Sequence, residues 1–146
     1  MDKFKVDNFY KTHHGVSFPK YISLSEAETR HVRSLLSGKL DIDNQLDGLL
    51  LVQRIDSLQY LYDEGDPEAE GFSLIEVFSH IGFEIPKEVF INWYRFDQID
   101  TMSFNDLDNY FDDFWYPGSD DIDIFDASLT WIFSVTHNGC IKVLKL

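Results

Sequence analysis

The residues with the clearest capacity for chemistry are aspartates in the second half of the chain. Ten Asp and no Lys or Arg lie between positions 97 and 126 of the 146-residue sequence. Carboxylates at this density can hold a divalent cation, or they can attract and bind a basic surface. On a strand, Asp121 and Asp123 would share a face, as a two-carboxylate cation site within the group Asp120, Asp121, Asp123 and Asp126 would require. Divalent-metal binding is therefore kept as an alternative function.

Catalytic motifs are absent from the sequence. It contains no Gly-rich phosphate loop, no Gly-x-Ser-x-Gly and no His-Glu-x-x-His. Cys140 and His137 flank one predicted turn, but no third group orients them, which argues against a thiol nucleophile. A single cysteine excludes an internal disulfide and a multi-Cys zinc site, and it favours a reducing compartment. We expect a non-enzymatic, cytoplasmic protein without a cofactor.

The net charge of −14 is unevenly distributed along the chain. Residues 1–40 hold seven basic and four acidic residues, whereas residues 41–146 hold five and twenty-two. A strongly acidic surface repels nucleic acid and anionic membranes and attracts basic proteins. Neither nucleic acid nor a membrane is expected as a direct partner, and no apolar run or N-terminal segment resembles a membrane span or signal peptide. The alternative explanation of the charge is solubility alone.

The acidic run includes one strongly amphipathic segment, at residues 104–115. A helical wheel separates its side chains into an apolar arc and a polar arc without exception. Ser103 is suited to be the N-cap, and Pro117-Gly118 is suited to end the helix. We predict one continuous helix whose apolar arc is Phe104, Leu107, Tyr110, Phe111, Phe114 and Trp115.

This helix leads directly into an acidic strand predicted around residues 121–124, with two aromatic residues between them. Aromatic side chains ringed by charge of one sign are suited to an interface that steers a partner of the opposite charge. The sequence therefore predicts one contiguous electronegative patch as the partner-binding site. Its residues are Asp106, Asp108, Asp112, Asp113, Trp115, Tyr116, Asp120, Asp121, Asp123 and Asp126.

A β-hairpin is predicted at the C-terminal end of the chain. Residues 130–137 are rich in β-branched and aromatic side chains, Asn138-Gly139 suits a two-residue type I′ turn, and residues 140–145 form the returning strand. That turn pairs Val135 with Lys142, and it places Trp131, Phe133, Val135, Leu144 and Leu146 on one core-facing surface.

The remaining segments define the fold class. Residues 1–23 are expected to be irregular, with a short strand near residues 16–22. Helices are predicted at residues 25–37, where Ser25 and Glu28 form a capping box, at 46–62 and at 72–81, and a strand at 88–96. Residues 63–71 are an acidic loop. We expect one domain spanning residues 1–146, of class α+β: a mostly antiparallel sheet formed mainly by the C-terminal half, with N-terminal and central helices on one face.

The C-terminal third also carries a resemblance. Residues 115–126, Trp131-Ile132 and residues 137–139 resemble the tails of small acidic bacterial proteins, some of them immunity proteins of polymorphic or contact-dependent toxin systems. The resemblance implies a non-enzymatic inhibitor that blocks a cognate basic toxin domain, such as a nuclease. The alternatives are a nucleic-acid-mimicking regulator that titrates a basic protein, the metal-binding protein above, and a structural domain whose acidity serves solubility.

Overall fold

The computed structural model describes residues 1–42 and 47–146, which form six helices and seven strands. In chain order the elements are α1 (Lys3–Thr12), β1 (Tyr21–Ser23), α2 (Glu26–Lys39), α3 (Gly48–Leu58), β2 (Tyr60–Tyr62), α4 (Leu74–Ile81), β3 (Glu88–Asn92), β4 (Ile99–Ser103), α5 (Phe104–Asn109), α6 (Phe111–Phe114), β5 (Ile122–Phe125), β6 (Trp131–Val135) and β7 (Ile141–Lys145). No helix in the described ranges is long and apolar enough to cross a bilayer.

The seven strands form one antiparallel sheet in the order β1-β4-β3-β5-β6-β7-β2. Its five inner strands all come from the C-terminal half, and the three-residue strands β1 and β2 lie at the edges. The predicted α+β class and sheet composition are therefore confirmed. The edge strands are short, as is common where a sheet must not pair with another chain.

Helices cover both faces of this sheet, so the prediction of helices on one face is wrong. Cross-strand pairing places Ile124 and Phe133 on one face, and the neighbouring Ser134 on the other. Helix α4 packs on the first face through Phe78, whose ring lies 5.1 Å from that of Phe133. Helix α3 lies on the second, where its C-cap residue Gln59 donates a hydrogen bond to Ser134. All five residues of β6 are buried, which requires cover on both sides.

The predicted helix at residues 104–115 is broken at Tyr110, which has φ −124° and ψ 30°. The break gives two short helices, α5 and α6, and redirects the aromatic side chains. Tyr110 packs edge-to-face on Phe9 of α1, with ring centroids 5.1 Å apart, and Phe111 stacks on Trp115. Aspartate and asparagine are weak helix formers, so packing of these rings overrides the local helical pattern.

The C-terminal hairpin forms, but its predicted register is wrong by one residue. Thr136 pairs with Cys140 across a three-residue loop, in which Gly139 alone has positive φ, 77°. This geometry is typical of a type I turn followed by a left-handed glycine, not of a two-residue type I′ turn. The observed pairs are Val135–Ile141, Phe133–Val143 and Trp131–Lys145. Both faces of the hairpin are buried, so alternation of polarity does not fix the register.

The N-terminal segment is more ordered than predicted. Residues 3–12 form α1 instead of irregular chain, with Asp2 as N-cap and Lys5 and Phe9 buried one turn apart. The predicted helices at residues 25–37 and 72–81 are confirmed as α2, with its capping box, and α4. The predicted helix at 46–62 ends at Leu58, because residues 60–62 form β2; residue 46 lies outside the described residues. The strand predicted at 88–96 ends at Asn92, and β4 was not predicted.

Candidate functional site

The ten residues of the predicted acidic patch do not form one surface. The largest group of them lines a groove between α1 and the α5–α6 segment, with a volume of about 560 Å³. Asp108, Asp112, Asp113 and Tyr116 belong to its lining, together with Lys11 and His13 of α1 and the short segment Gly71-Phe72. We call this feature the acidic groove.

Within the acidic groove, two of the three carboxylates have structural partners. Asp108 accepts hydrogen bonds of 3.1 Å from the Ser73 hydroxyl and from the backbone N–H of Ile75, at the start of α4. Asp113 lies 2.7 Å from Nε2 of His13, whose ring packs on Phe9. Asp112 is exposed, and none of the residues described here donates a hydrogen bond to it. It is therefore the most accessible charge of the groove.

The acidic groove continues into a second hollow of about 200 Å³, with which it shares Gly71 and Phe72. Glu64, Asp66, Glu70 and Glu76 line this hollow. Because the two hollows meet at Gly71-Phe72, carboxylates from the acidic loop and from α5–α6 form one continuous surface. We call it the acidic face; its residues are Glu64, Asp66, Glu70, Glu76, Asp108, Asp112 and Asp113.

The loop residues of the acidic face were not among the predicted site residues. Their charge was evident in the sequence, and residues 63–71 were correctly expected to be exposed. The missing information was their proximity to α5, which depends on the Asp108–Ser73 hydrogen bond across 35 positions of the chain. Nothing in the local sequence pattern reports that contact.

Trp115 and Tyr116, the predicted aromatic anchors, take different roles. Trp115 is 1% exposed and donates its Nε1–H to the carbonyl oxygen of Asp120, so it is a core residue. Tyr116 lines the acidic groove. Burial raises the pKa of the Tyr116 hydroxyl, against the effect of a hydrogen bond with Asn8, so Tyr116 is a neutral donor at physiological pH.

Asp120 is neutralised by the N-terminal helix. Its carboxylate forms an ion pair with the buried Lys5 and accepts a hydrogen bond of 2.8 Å from the backbone N–H of Tyr116. The Lys5 ammonium also lies 4.4 Å from the centroid of the Tyr116 ring, a cation–π distance. Asp97 and Asp100, also in the acidic run, meet Arg33 and the amino group of Met1. The N-terminal segment thus removes part of the charge that the sequence alone displays.

Asp121 and Asp123 line a different cavity, of about 220 Å³, between the sheet and α3. Asp121 accepts from the backbone N–H of His137 at 2.8 Å, and its Oδ1 lies 2.9 Å from Nδ1 of the same histidine. Asp123 accepts from Nδ2 of Asn92 at 2.8 Å and from the hydroxyl of Ser134. Burial raises the pKa of Asp123, against the effect of these two hydrogen bonds. We call this cavity the Asp123 pocket.

The last two predicted residues lie apart from both sites. Asp126 accepts hydrogen bonds from the backbone and side chain of Ser128 in the β5–β6 turn. Asp106 lines a hollow beside β1. The prediction of one contiguous patch across residues 97–126 is therefore wrong, because a broken helix and a strand with two buried faces direct neighbouring aspartates to different sides.

The same dispersal affects the carboxylates considered for a cation site. Asp121 and Asp123 share one strand face and line the same cavity, as predicted, whereas Asp120 and Asp126 lie apart from them and from each other. Across residues 1–42 and 47–146, no group of three or more His, Cys, Asp or Glu side chains is placed to hold a metal ion.

A scan against protein-family models and searches of curated proteins and of solved structures found no match. Function is therefore inferred from the geometry of the acidic face and the Asp123 pocket.

Proposed function

We propose that this protein is a non-enzymatic binding protein of the immunity type, which neutralises a cognate basic toxin domain through the acidic face. One observation carries the proposal: carboxylates from two distant chain segments, residues 64–76 and 108–113, meet in one continuous surface around a groove. Asp97, Asp100 and Asp120 of the acidic run are instead paired with cations of residues 1–33, and do not add to this surface.

The electrostatics of the acidic face favour a basic partner. It holds seven carboxylates, and the basic side chains in the same two hollows are Lys11, His13 and His80. A concave surface lined by charge of one sign focuses the field and raises the association rate of an oppositely charged protein. Such a field would also keep nucleic acid away, in keeping with a protein partner.

The shape of the groove supports the same proposal. Its volume of about 560 Å³ lies in the range of specific binding sites, about 300–1,000 Å³. Tyr110, Phe111 and Tyr116 contribute aromatic surface to its lining. Aromatic groups at the centre of a charged rim are typical of the residues that contribute most to protein–protein affinity.

The test compares two charge-reversal variants with equal change in charge. Asp112→Lys with Glu70→Lys alters the acidic face, and Glu84→Lys with Glu88→Lys alters exposed carboxylates outside it. Asp108 and Asp113 are left unchanged because they hold α4 and His13. Affinity capture from the source cell should recover one basic protein with the wild type and with the control, and lose it with the acidic-face variant.

Calorimetry with the recovered protein then tests whether binding is electrostatic. Affinity should fall as salt rises from about 50 to about 500 mM, because screening weakens interactions between exposed charges. Expression of the recovered protein should arrest growth, and co-expression of the wild type, but not of the acidic-face variant, should restore it. Capture of several unrelated basic proteins with similar affinity would instead favour a nucleic-acid-mimicking regulator. If the acidic-face variant bound the recovered protein as tightly as the wild type and the control variant do, the acidic face would be rejected as the binding site.

A further inference from the structure

The Asp123 pocket is a second cavity that the acidic face does not include. It lies against α3 on the sheet face opposite α4, and its walls combine apolar and polar side chains. Val52 and Ile55 of α3 supply apolar side chains to the lining, whereas Ile122 and Val135, which alternate with Asp123 and Ser134, direct their side chains to the opposite face of the sheet. A cavity that combines apolar surface with polar groups held at fixed positions is the usual form of a recognition pocket.

The carboxylate in this pocket is held in one orientation by neutral groups. Asn92 donates to one oxygen of Asp123 and Ser134 to the other, and Gln59 donates to the Ser134 hydroxyl at 2.6 Å. Asn92 is itself fixed, because it also donates to the carbonyl oxygen of Tyr94 and accepts from the N–H of Phe96 at 2.7 Å. The carboxylate is therefore preorganised before any ligand arrives.

No cation neutralises this carboxylate within the described part of the chain. Asp123 is in none of the ion pairs found there, whereas the neighbouring Asp121 and Asp56 meet His137 and Lys142. Removing a carboxylate from water without a counter-charge is unfavourable, and the charges of Asp121 and Asp56 add to the effect. A cation that entered the pocket would relieve this cost.

The size of the pocket limits what could enter. Its volume of about 220 Å³ is below the range of about 300–1,000 Å³ that is typical of sites for small-molecule ligands and cofactors. It suits the end of one side chain. Lysine and arginine carry a charged group on an aliphatic stem that packs readily on apolar surface. Tyr94, which is 46% exposed, lines the pocket and presents aromatic surface.

We propose that the Asp123 pocket receives the cationic end of one lysine or arginine side chain of the basic partner, with the ammonium or guanidinium group on Asp123 and the methylene stem against Val52 and Ile55. This inference rests on the proposed function, because it takes the partner to be a basic protein. It adds a point of specificity to a surface that otherwise acts mainly by long-range attraction.

The first test uses small probes on the unsubstituted protein, followed by heteronuclear NMR. Butylammonium should cause saturable shifts of the Asn92 and Gln59 side-chain amides and of the Ser134 backbone amide, with a millimolar dissociation constant. Butanol, which has the same stem without the charge, should not. Shifts that fail to saturate, or that spread evenly over the exposed carboxylates, would overturn the proposal. These measurements do not depend on the folding of any variant.

The second test uses two isosteric variants as a matched pair. Asp123→Asn should weaken butylammonium binding at least about tenfold, because it removes the charge that pairs with the ammonium group. Asp112→Asn, which removes the same charge from the acidic face, should leave binding unchanged. Retained affinity in Asp123→Asn would contradict the assignment, and its amide spectrum shows independently that the variant is folded.

A third measurement separates a protein side chain from a free amine. A blocked pentapeptide with one central lysine between glycines should bind within about tenfold of butylammonium and cause the same shifts. Binding of butylammonium without the peptide would overturn the assignment to a partner side chain. No step of these three tests uses the partner or the acidic-face variants, so a failure here leaves the proposed function standing, and the charge-reversal experiment can fail while the pocket still binds.

Discussion

The Asp108 carboxylate accepts a hydrogen bond of 3.1 Å from the Ser73 hydroxyl, and the same hydroxyl accepts the N–H of Glu76 as the N-cap of α4. Asp108 also accepts the N–H of Ile75. One carboxylate of the acidic face therefore fixes the start of α4 and brings the acidic loop beside α5–α6. Charge and structure are coupled at this position.

This coupling predicts that Asp108 and Asp112 differ in their effect on stability. Asp108→Ala leaves a helix N–H and a hydroxyl without their acceptor, and should lower the free energy of unfolding by about 1–3 kcal/mol. Asp112→Ala removes an exposed charge without such partners, and should change it by less than about 0.5 kcal/mol. Urea unfolding followed by far-UV circular dichroism measures both. Equal values would show that the Asp108 hydrogen bonds contribute no net stability.

The Lys5–Asp120 ion pair allows a double-mutant cycle. Lys5→Met leaves Asp120 without its cation in a partly buried place and should cost about 2–4 kcal/mol of unfolding free energy. The double variant Lys5→Met with Asp120→Asn should recover more than half of this loss, because no uncompensated charge remains. Chemical denaturation of the wild type, both single variants and the double variant gives the coupling energy. A double variant less stable than either single variant would show that the pair itself, and not the unpaired charge, determines the cost.

The raised pKa of Asp123 predicts the sign of a pH effect. Between its ordinary value of 3.8 and its raised value in the folded protein, the folded state binds more protons at Asp123 than the unfolded state. The contribution of Asp123 to stability therefore falls as pH rises through this interval. Asp123→Asn cannot ionise, so its free energy of unfolding should rise relative to the wild type over the same interval. The difference between the two proteins, measured by urea unfolding from about pH 4 to pH 8, cancels titrations that they share. A constant difference would contradict the shift.

The sequence predicts local elements well and the site only in part, and particular residues show why. Ser25 with Glu28 is a local signal, and α2 begins accordingly with a capping box. The break at Tyr110 depends instead on Phe9, about a hundred positions away, against which the Tyr110 ring packs. A helical wheel of residues 104–115 considers that segment alone, so it cannot show a contact with α1.

The same distinction explains the dispersal of the aspartates. A helical wheel or an alternating strand pattern predicts which carboxylates share one face of an element. It does not predict which other helix or strand packs against that face. Asp120 and Asp121 are neighbours in sequence, yet one faces Lys5 of α1 and the other faces His137 of the hairpin. Two of the cations that neutralise the acidic run, Lys5 and the amino group of Met1, lie in the segment predicted as irregular. The charge left at the surface could therefore not be located from the sequence.

Two glycines in helices provide a last prediction, with opposite signs. A Cβ at Gly48, the first residue of α3, would lie 1.8 Å from the carbonyl oxygen of Arg95, whereas a Cβ at Gly38 in α2 meets nothing within 4 Å. Gly48→Ala should therefore destabilise the protein, by at least about 1–3 kcal/mol, because the backbone of the β3–β4 loop must move. Gly38→Ala should stabilise it by about 0.5–1 kcal/mol, because alanine is favoured over glycine inside a helix.

The effect at Gly48 should extend to the Asp123 pocket. The loop that Gly48 contacts includes Tyr94 and Phe96, both with positive φ, and Asn92 holds this loop while it also donates to Asp123. A shift of the Arg95 carbonyl should therefore change the amide shifts of Asn92 and weaken butylammonium binding, and Gly38→Ala should do neither. If Gly48→Ala lowered stability but left the Asn92 signals and probe affinity unchanged, the loop and the pocket would be mechanically independent.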